Sequence, residues 1–279
     1  MKFSASREVL LKPLQAVRGV VERRQTMPIL ANILLVARGG RLAVTATDLE
    51  VELVASADVD VDVDGEITVS GRKLLDIVKA LPDEVQVAFS VSGDKAAVRA
   101  GRSKFSLATL PAAEFPTVED IKSSQVIEVD RATLGTLIDK THFSMAQQDV
   151  RYYLNGMLLE TGDGYLRAVA TDGHRLALCQ AEVSGGNGDE QQVIVPRKGV
   201  LELQRLVNGE GPLNIELGPN HVRIEIDGIR LTSKLIDGRF PEYERVIPAD
   251  SPNLLKADKD TIRRALQRTA ILSNEKYRG

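Results

Sequence analysis

The sequence has little of what secreted and membrane proteins require. It contains one cysteine, Cys179, in 279 residues, which excludes an intramolecular disulfide framework and predicts a reducing compartment, the cytoplasm. No apolar run approaches the ~20 residues that a membrane-spanning helix needs. The N-terminal residues, MKFSASRE, lack the apolar stretch and cleavage site of a signal peptide. We therefore expect a cytoplasmic protein without membrane attachment.

An internal repeat is present, and it organises the chain. Three pairs of similar segments occur in one order and at nearly one spacing, which predicts a duplicated domain. A period of this length is too long for a solenoid and suits domains laid end to end. The pairs, 124 or 125 residues apart, are 46–48 with 170–172, 72–73 with 197–198, and 115–116 with 240–241.

A third copy of the repeat begins near the end of the sequence. Residues 261–269 read as a helix similar to residues 133–141, and the chain then stops at Gly279. We therefore expect two whole domains and the start of a third whose remainder is absent. The predicted bounds are 1–122, 127–248 and 253–279.

The hydrophobic pattern predicts an α+β fold with two helices per repeat. Apolar residues recur at helical spacing over 7–21, where Pro13 argues against a regular helix, and over 72–81. Residues 57–65 alternate valine and aspartate, which predicts one strand with Val59, Val61 and Val63 facing inward. Further strands are predicted at 33–37, 41–46, 86–91, 95–100 and 104–109.

Charge is divided between helices and strands, although the net charge is only -3. Residues 7–24 hold five basic and two acidic residues, and 72–79 and 197–205 each hold three basic residues and one acidic residue. Residues 51–66 hold six acidic residues and no basic one. Arg-Lys pairs at helix starts oppose the macrodipole, so they favour a phosphate-binding role. An ordinary solvated helix face is the alternative.

The motifs of the main enzyme classes are missing. The sequence has no G-x-S-x-G, Walker A, G-x-G-x-x-G or H-E-x-x-H motif, and its three histidines are too dispersed for a zinc site. Residues 171–175, TDGHR, have the most chemical character, but the first repeat keeps only the Thr-Asp of this segment. We expect both aspartates to anchor turns and Gly173-His174-Arg175 to serve binding. No catalytic residue, metal or cofactor is predicted.

Five longer runs resemble one family, the bacterial DNA polymerase III beta subunits, or sliding clamps. The resemblance covers the chain from Lys2 onward in unbroken order. It implies tandem copies of the DNA-clamp (processivity-fold) domain, each with two helices packed on antiparallel sheets. The runs are QDVRYYLNG at 148–156, ATDGHRL at 170–176, VPRKGV at 195–200, DGRFP at 237–241 and LSNEKYRG at 272–279.

The resemblance implies a processivity factor with two kinds of partner. Duplex DNA would pass through a ring formed by a head-to-tail homodimer of three-domain chains. DNA polymerase subunits, the clamp loader and repair proteins would insert short linear motifs into a hydrophobic cleft.

The residues that the resemblance assigns to these sites fall into three sets. The DNA-binding positions are Arg24, Gln148, Lys198 and Arg205, with Arg72, Lys73, Arg151 and Arg197 as plausible neighbours. The partner-peptide cleft comprises Leu154, Thr171, Gly173, His174, Arg175, Leu176, Pro241, Arg245 and Val246. The ring interface joins Phe105 and Leu107 to Ile271 and Leu272.

Two other interpretations remain open at this stage. A metal-dependent nucleic-acid enzyme could use Asp48 and Asp172, although no cluster of carboxylates supports it. A clamp variant that confers resistance to a clamp-directed inhibitor would have the same sequence features. Because one half of the ring interface is fragmentary in this chain, we also expect that it does not close a stable ring alone.

Overall fold

The structure, a computed structural model, describes residues 1–21, 27–118, 124–185, 190–248 and 253–272. The chain divides into two compact units, Met1–Phe240 and Pro241–Gly279. The first unit contains the helices and strands of both repeats. This division does not test the predicted bounds of three domains, which stay a prediction.

The first repeat contains two helices, α1 (Arg7–Val17) and α2 (Gly71–Ala80), as the hydrophobic pattern predicts. The Ser6 hydroxyl accepts the Val9 N–H at 3.4 Å and the Ser70 hydroxyl accepts the Lys73 N–H at 3.5 Å, so a serine caps each helix. Its strands are β1 (Lys2–Ser6), β2 (Asn32–Arg38), β3 (Arg41–Thr47), β4 (Val51–Asp58), β5 (Asp60–Val63), β6 (Gly65–Ser70), β7 (Gln86–Ser92), β8 (Lys95–Ala100) and β9 (Ser103–Leu110).

The second repeat follows the same order of elements. Its helices are α3 (Arg131–Thr141) and α4 (Arg197–Leu206), so the predicted unit of two helices among antiparallel strands is confirmed. Its strands are β10 (Gln125–Asp130), β11 (Gly156–Gly162), β12 (Tyr165–Thr171), β13 (Leu176–Glu182), β14 (Ser184–Gly185), β15 (Gln191–Pro196), β16 (Pro212–Leu217), β17 (His221–Ile226) and β18 (Ile229–Lys234).

The strands join the two repeats into one structure. Among the described residues, one sheet has fourteen strands in the order β14-β10-β16-β17-β18-β4-β3-β2-β6-β9-β8-β7-β1-β5, and a second sheet has the order β13-β12-β11-β15. The last strand of the second repeat, β18, pairs with β4 of the first, from Ile229 opposite Ala55 to Ser233 opposite Val51. We call this pair of strands the inter-repeat seam.

A buried carboxylate lies within the inter-repeat seam. Glu52 of β4 is 4% exposed, and its Oε2 accepts the Val118 N–H at 3.0 Å. Burial raises the pKa of Glu52, and the Val118 hydrogen bond and the cations Arg230 and Arg223 oppose that rise. Through this hydrogen bond, Glu52 holds residue Val118, near the end of the first repeat, against β4, the strand that pairs with the second repeat.

The core lies between the helices and the sheets of each repeat. Leu74, Leu75 and Val78 of α2 are buried, as the predicted helical face requires. In the second repeat, Leu134 and Leu137 of α3 are at most 1% exposed. Since fully burying one such side chain contributes about 1.5–3 kcal/mol, these faces hold the helices on the sheets.

The single strand predicted over residues 57–65 is wrong. Val59 is buried, but its N–H leaves the strand ladder and donates to the Gly40 carbonyl at 2.9 Å. Beyond it, β5 is a separate edge strand, and the partner shifts from Val61 to Val63 between adjacent residues of β1. This bulge breaks the period of two, so Val63 is 52% exposed.

The first helix is shorter than the predicted span of 7–21. It accommodates the buried Pro13 but ends at Val17, two residues before Gly19. Glycine has low helix propensity, and a β-carbon at this position would overlap the Glu202 carboxylate of α4. Close approach of the second repeat therefore accounts for the glycine at position 19.

The second unit contains one helix within its described residues, α5 (Lys259–Ala270), and a short 3-10 turn, Tyr243–Val246. Asp258 caps α5 by accepting the Thr261 N–H at 2.9 Å, so the helix predicted at 261–269 is confirmed. Its apolar Leu266 is 62% exposed. Nowhere in the described parts of the chain is a helix both long and apolar enough to cross a membrane.

Candidate functional site

The segment with the most chemical character, residues 171–175, forms a tight turn between β12 and β13. Asp172 Oδ1 accepts the N–H groups of His174 and Arg175, each at 2.9 Å. The Thr171 hydroxyl donates to the Arg175 carbonyl at 2.7 Å and accepts the Gly173 N–H at 3.1 Å. Gly173 has a φ of +87°, which favours glycine. The expectation that this aspartate anchors a turn is confirmed.

The first repeat builds the same turn from residues 47–51. Asp48 Oδ1 accepts the N–H groups of Glu50 and Val51 at 2.9 and 2.7 Å, and Leu49 takes the positive φ, +78°. One oxygen of each aspartate therefore serves backbone groups. The other oxygen pairs with a cation, Arg175 for Asp172 and Lys198 for Asp48. This bonding gives both carboxylates a structural role and disfavours the nuclease interpretation.

Arg151 contacts the turn formed by residues 171–175. Its guanidinium donates to both carboxylate oxygens of Asp149, at 3.0 and 2.8 Å, and to the Asp172 carbonyl at 3.2 Å. A β-carbon built on Gly173 would lie 2.9 Å from Arg151 Nη1. The sequence groups Arg151 with the DNA-binding residues, whereas the structure brings it to the turn that carries His174 and Arg175.

An open pocket of about 320 Å³ lies beside this turn. The Arg175 guanidinium lies 5.8 Å from the ring centroid of Phe143, a distance typical of a cation–π contact. Sequence reasoning missed Phe143 and Asp149, although the Asp-x-Arg spacing of 149 and 151 was a usable signal. The pocket is lined by Phe143, Met145, Ala146, Gln147, Asp149, Asp172, His174, Arg175 and Arg197.

The Asp149–Arg151 pair predicts how the Asp149 carboxyl group titrates. Hydrogen bonds from the Arg151 side chain and backbone lower the pKa of Asp149 to about 2. A carboxylate with a depressed pKa stabilises the folded state above the unfolded value of about 3.9 and loses that contribution as pH falls toward the folded pKa. Carboxyl ¹³C NMR should give an Asp149 midpoint near 2 that moves toward 3.9 in Arg151→Gln. An unchanged midpoint in that variant would contradict the assigned cause.

The apolar residues assigned to the peptide cleft differ in exposure. Leu154 is 1% exposed and Thr171 is buried, whereas Leu176 is half-buried. Leu154 therefore packs in the interior beneath the proposed cleft surface. The remaining cleft residues lie in the second unit, where Arg245 pairs with Glu242 at 2.6 Å and Val246 is 68% exposed. Pro241 precedes that 3-10 turn.

The basic residues that begin α2 are exposed. Arg72 lies 3.7 Å from Asp76 in a loose surface ion pair, and Lys73 is also exposed. Gln148 is exposed in a loop with a φ of +57°. The predicted DNA-binding residue Arg24 lies outside the described residues.

The basic residues of α4 contact other parts of the chain. Arg197 donates to the Met145 carbonyl at 3.4 Å. Lys198 pairs with Asp48 of the first repeat. Arg205 donates to Glu202 Oε2 at 2.7 Å and to the Ala16 carbonyl at 2.5 Å. We use the name α4 junction for Lys198, Glu202 and Arg205 together with Asp48, Gln15 and Ala16.

The residues assigned to the ring interface lie in both units. Phe105 and Leu107 are on β9, where Leu107 is buried in the core and Phe105 is half-buried against it. Ile271 and Leu272 follow α5 and are 77% and 94% exposed. Their role in an interface stays a prediction.

Family models identify the two repeats independently. The N-terminal domain of the DNA polymerase III beta subunit matches residues 1–119, and its central domain matches residues 128–242. The chain belongs to the DNA polymerase III beta subunit family. The resemblance drawn from the five sequence runs is thereby confirmed.

Individual beta subunits resemble the chain over its whole length. The beta sliding clamp of Pseudomonas aeruginosa is 55% identical over 281 aligned residues, which cover 100% of this chain and 77% of that protein. The clamp of Escherichia coli K12 is 50% identical, with 76% of it covered. A crystal structure of the Pseudomonas aeruginosa subunit aligns with a TM-score of 0.97 at 54% identity, covering 100% of this chain and 76% of that one. The predicted clamp fold is confirmed.

Proposed function

We propose that the chain acts as a DNA sliding clamp, a processivity factor that encircles duplex DNA and tethers DNA polymerase subunits, the clamp loader and repair proteins. The observation that carries this proposal is the match of the whole chain to beta sliding clamps, at up to 55% identity among those compared. The cytoplasm, where these partners work, is its proposed compartment. The clamp itself is proposed to have no catalytic activity.

The proposed DNA-binding surface is formed by helix starts at corresponding positions of the two repeats. Arg72 and Lys73 lie in the first turn of α2, directly after Gly71, and Arg197 and Lys198 begin α4. Basic residues at a helix N-terminus oppose the macrodipole, so they cost helix stability and favour a role toward an anion. Such contacts sense phosphate charge and not base sequence, as a clamp that slides requires.

Lys73 tests this surface because it is exposed at the start of α2. Lys73→Gln should lower affinity for a short duplex by about three- to tenfold at low salt and reduce the slope of log K against log salt by about 0.9, the loss of one phosphate contact. Fluorescence anisotropy over a salt series measures both quantities. Arg41→Gln is the matched control, because Arg41 is also exposed but begins strand β3. An equal loss in both variants would mean that net charge, and not this helix, controls binding.

Partner peptides are proposed to bind beside the 171–175 turn. His174 and Arg175 are exposed there and offer donors to a peptide backbone, and Leu176 offers a half-buried apolar surface. Arg151, which is paired with Asp149, holds the turn by donating to the Asp172 carbonyl. Because the turn is already ordered, the protein loses less conformational entropy when a peptide binds, which favours recognition of a short motif.

The inter-repeat seam supports the proposal of a head-to-tail ring. In the second repeat, β18 pairs with β17 on one side and with β4 of the first repeat on the other. The counterpart of β18 in the first repeat is β9, which pairs with β8 from Ser103 to Ala108. Among the described residues, β9 pairs with β6 only at Thr109 and Leu110. The free part of this edge, which carries Phe105, is where we propose that another clamp chain pairs.

A further inference from the structure

The α4 junction presents one polar face of α4 to the first repeat. Lys198, Glu202 and Arg205 are spaced by four and three residues and therefore lie on one side of the helix. Arg205 reaches the Ala16 carbonyl at 2.5 Å and the Gln15 carbonyl at 3.4 Å, near the C-terminus of α1. The Gln15 carbonyl also accepts the Arg18 N–H at 3.4 Å, at the C-cap of α1. Because the carbonyls of a last helical turn carry partial negative charge, a cation stabilises that end.

Lys198 makes the other contact of this face, with the turn that contains Asp48. The Lys198 side chain is 25% exposed and the Asp48 side chain only 7%. The same turn is tied to the second repeat by its backbone, because the Lys234 N–H donates to the Glu50 carbonyl at 2.8 Å. An ion pair shielded in this way interacts more strongly than the exposed pairs elsewhere on the surface.

The two carboxylate oxygens of Asp48 contact different groups. Oδ1 accepts the Glu50 and Val51 N–H groups and builds the turn, whereas Oδ2 pairs with Lys198. Asparagine would keep an oxygen for the two N–H groups and replace the Lys198 partner by an NH₂ group. One substitution can therefore remove the ion pair while the turn keeps its hydrogen bonds.

We propose that Asp48 is a positioning residue that holds Lys198 in the α4 junction, and that the phosphates of duplex DNA compete with Asp48 for Lys198. This inference rests on the proposed function, since it takes Lys198 as a phosphate contact. The ammonium group bonds either anion, so a phosphate that binds Lys198 must take the place of the Asp48 carboxylate. DNA binding and the contact between the repeats are then linked, and each weakens the other by the same factor.

The test is the affinity of the whole chain for a 20-base-pair duplex, measured by anisotropy over a salt series. Asp48→Asn should bind about three- to tenfold more tightly at low salt and steepen the salt slope by about 0.9, as expected for one added phosphate contact. Asp60→Asn removes the same charge from the exposed edge strand β5 and should change affinity by less than about twofold, because salt screens an exposed charge that contacts no assigned DNA-binding residue. Equal effects of both substitutions would overturn the proposal.

A double-mutant cycle identifies the residue through which Asp48 acts. In a Lys198→Gln background, Asp48→Asn should no longer tighten binding; a persistent gain would show that the carboxylate repels DNA directly and would overturn the assigned competition. Failure of the proposed function is distinguishable, because the unmodified chain would then not bind the duplex at all. In that case hydrogen exchange without DNA still tests the positioning role, since Asp48→Asn should speed exchange of the Lys234 amide by about three- to tenfold relative to Asp60→Asn. An unchanged rate would overturn that role.

Discussion

Valine in place of Gly173 should weaken binding of a partner peptide by more than about tenfold, because two penalties act on one turn. A β-branched residue at a φ of +87° is strained by about 1–3 kcal/mol. Its β-carbon would also lie 2.9 Å from Arg151 Nη1, so the guanidinium that braces the turn must move. His174 and Arg175, held by Asp172 in this turn, would then leave the positions proposed for peptide binding.

The measurement is an NMR titration with a peptide that carries the clamp-binding motif of a polymerase subunit, so that weak binding is also quantified. Gly164→Val is the matched control. Gly164 has a φ of +75°, in the β11–β12 hairpin, but a β-carbon added there would meet no atom within 4 Å beyond its chain neighbours. The control has the same backbone strain without the clash and should retain peptide affinity. Similar losses in both variants would show that general destabilisation, and not the turn geometry, explains the effect.

Removal of the Leu53 side chain should destabilise the first unit by about 2–5 kcal/mol, the range for deleting a buried leucine. Leu53 is fully buried in β4, opposite Ala46 of β3 and Leu231 of β18. It therefore packs where the inter-repeat seam crosses the core. A cavity at this position would weaken both the first repeat and its connection to the second.

Urea unfolding of Leu53→Ala measures this loss, with Leu178→Ala as its control. Leu178 lies on β13, the counterpart of β4 in the second repeat, and is 40% exposed. Its truncation should cost less than about 1 kcal/mol, as for other partly exposed apolar side chains. Equal costs would contradict the view that the seam is a buried, cooperative part of the unit.

Local sequence patterns predict an element of this protein well where neighbouring residues alone define it. The strand at Lys95–Ala100 has the predicted bounds, because alternation and flanking turns define it. The turn role of Asp48 and Asp172 also follows from the residue type and its place in the repeat, since an aspartate can accept the N–H groups two and three residues ahead. Prediction fails at β5, because its bulge depends on pairing with β1, about sixty residues away in the sequence.

The features of the candidate site also divide into those that local sequence predicts and those that it does not. Arg72 and Lys73 are at the start of a helix, as the sequence predicts, since capping and periodicity are local. The sequence does not predict that Arg151 braces the 171–175 turn or that Arg205 reaches the end of α1, 189 residues away along the chain. Both contacts depend on loops and helices that only folding brings together.

The sequence alone determined the duplication, the two helices of each repeat, the charge of those helices and the clamp resemblance. Repeats and periodicities can be read along the chain without knowing which segments meet in space. Only the tertiary structure decided that β18 pairs with β4 and that Lys198 meets Asp48. Strand pairing and ion pairs between distant segments depend on the closure of long loops. Two of the residues that the sequence assigns to DNA binding on α4, Lys198 and Arg205, thus also join the two repeats.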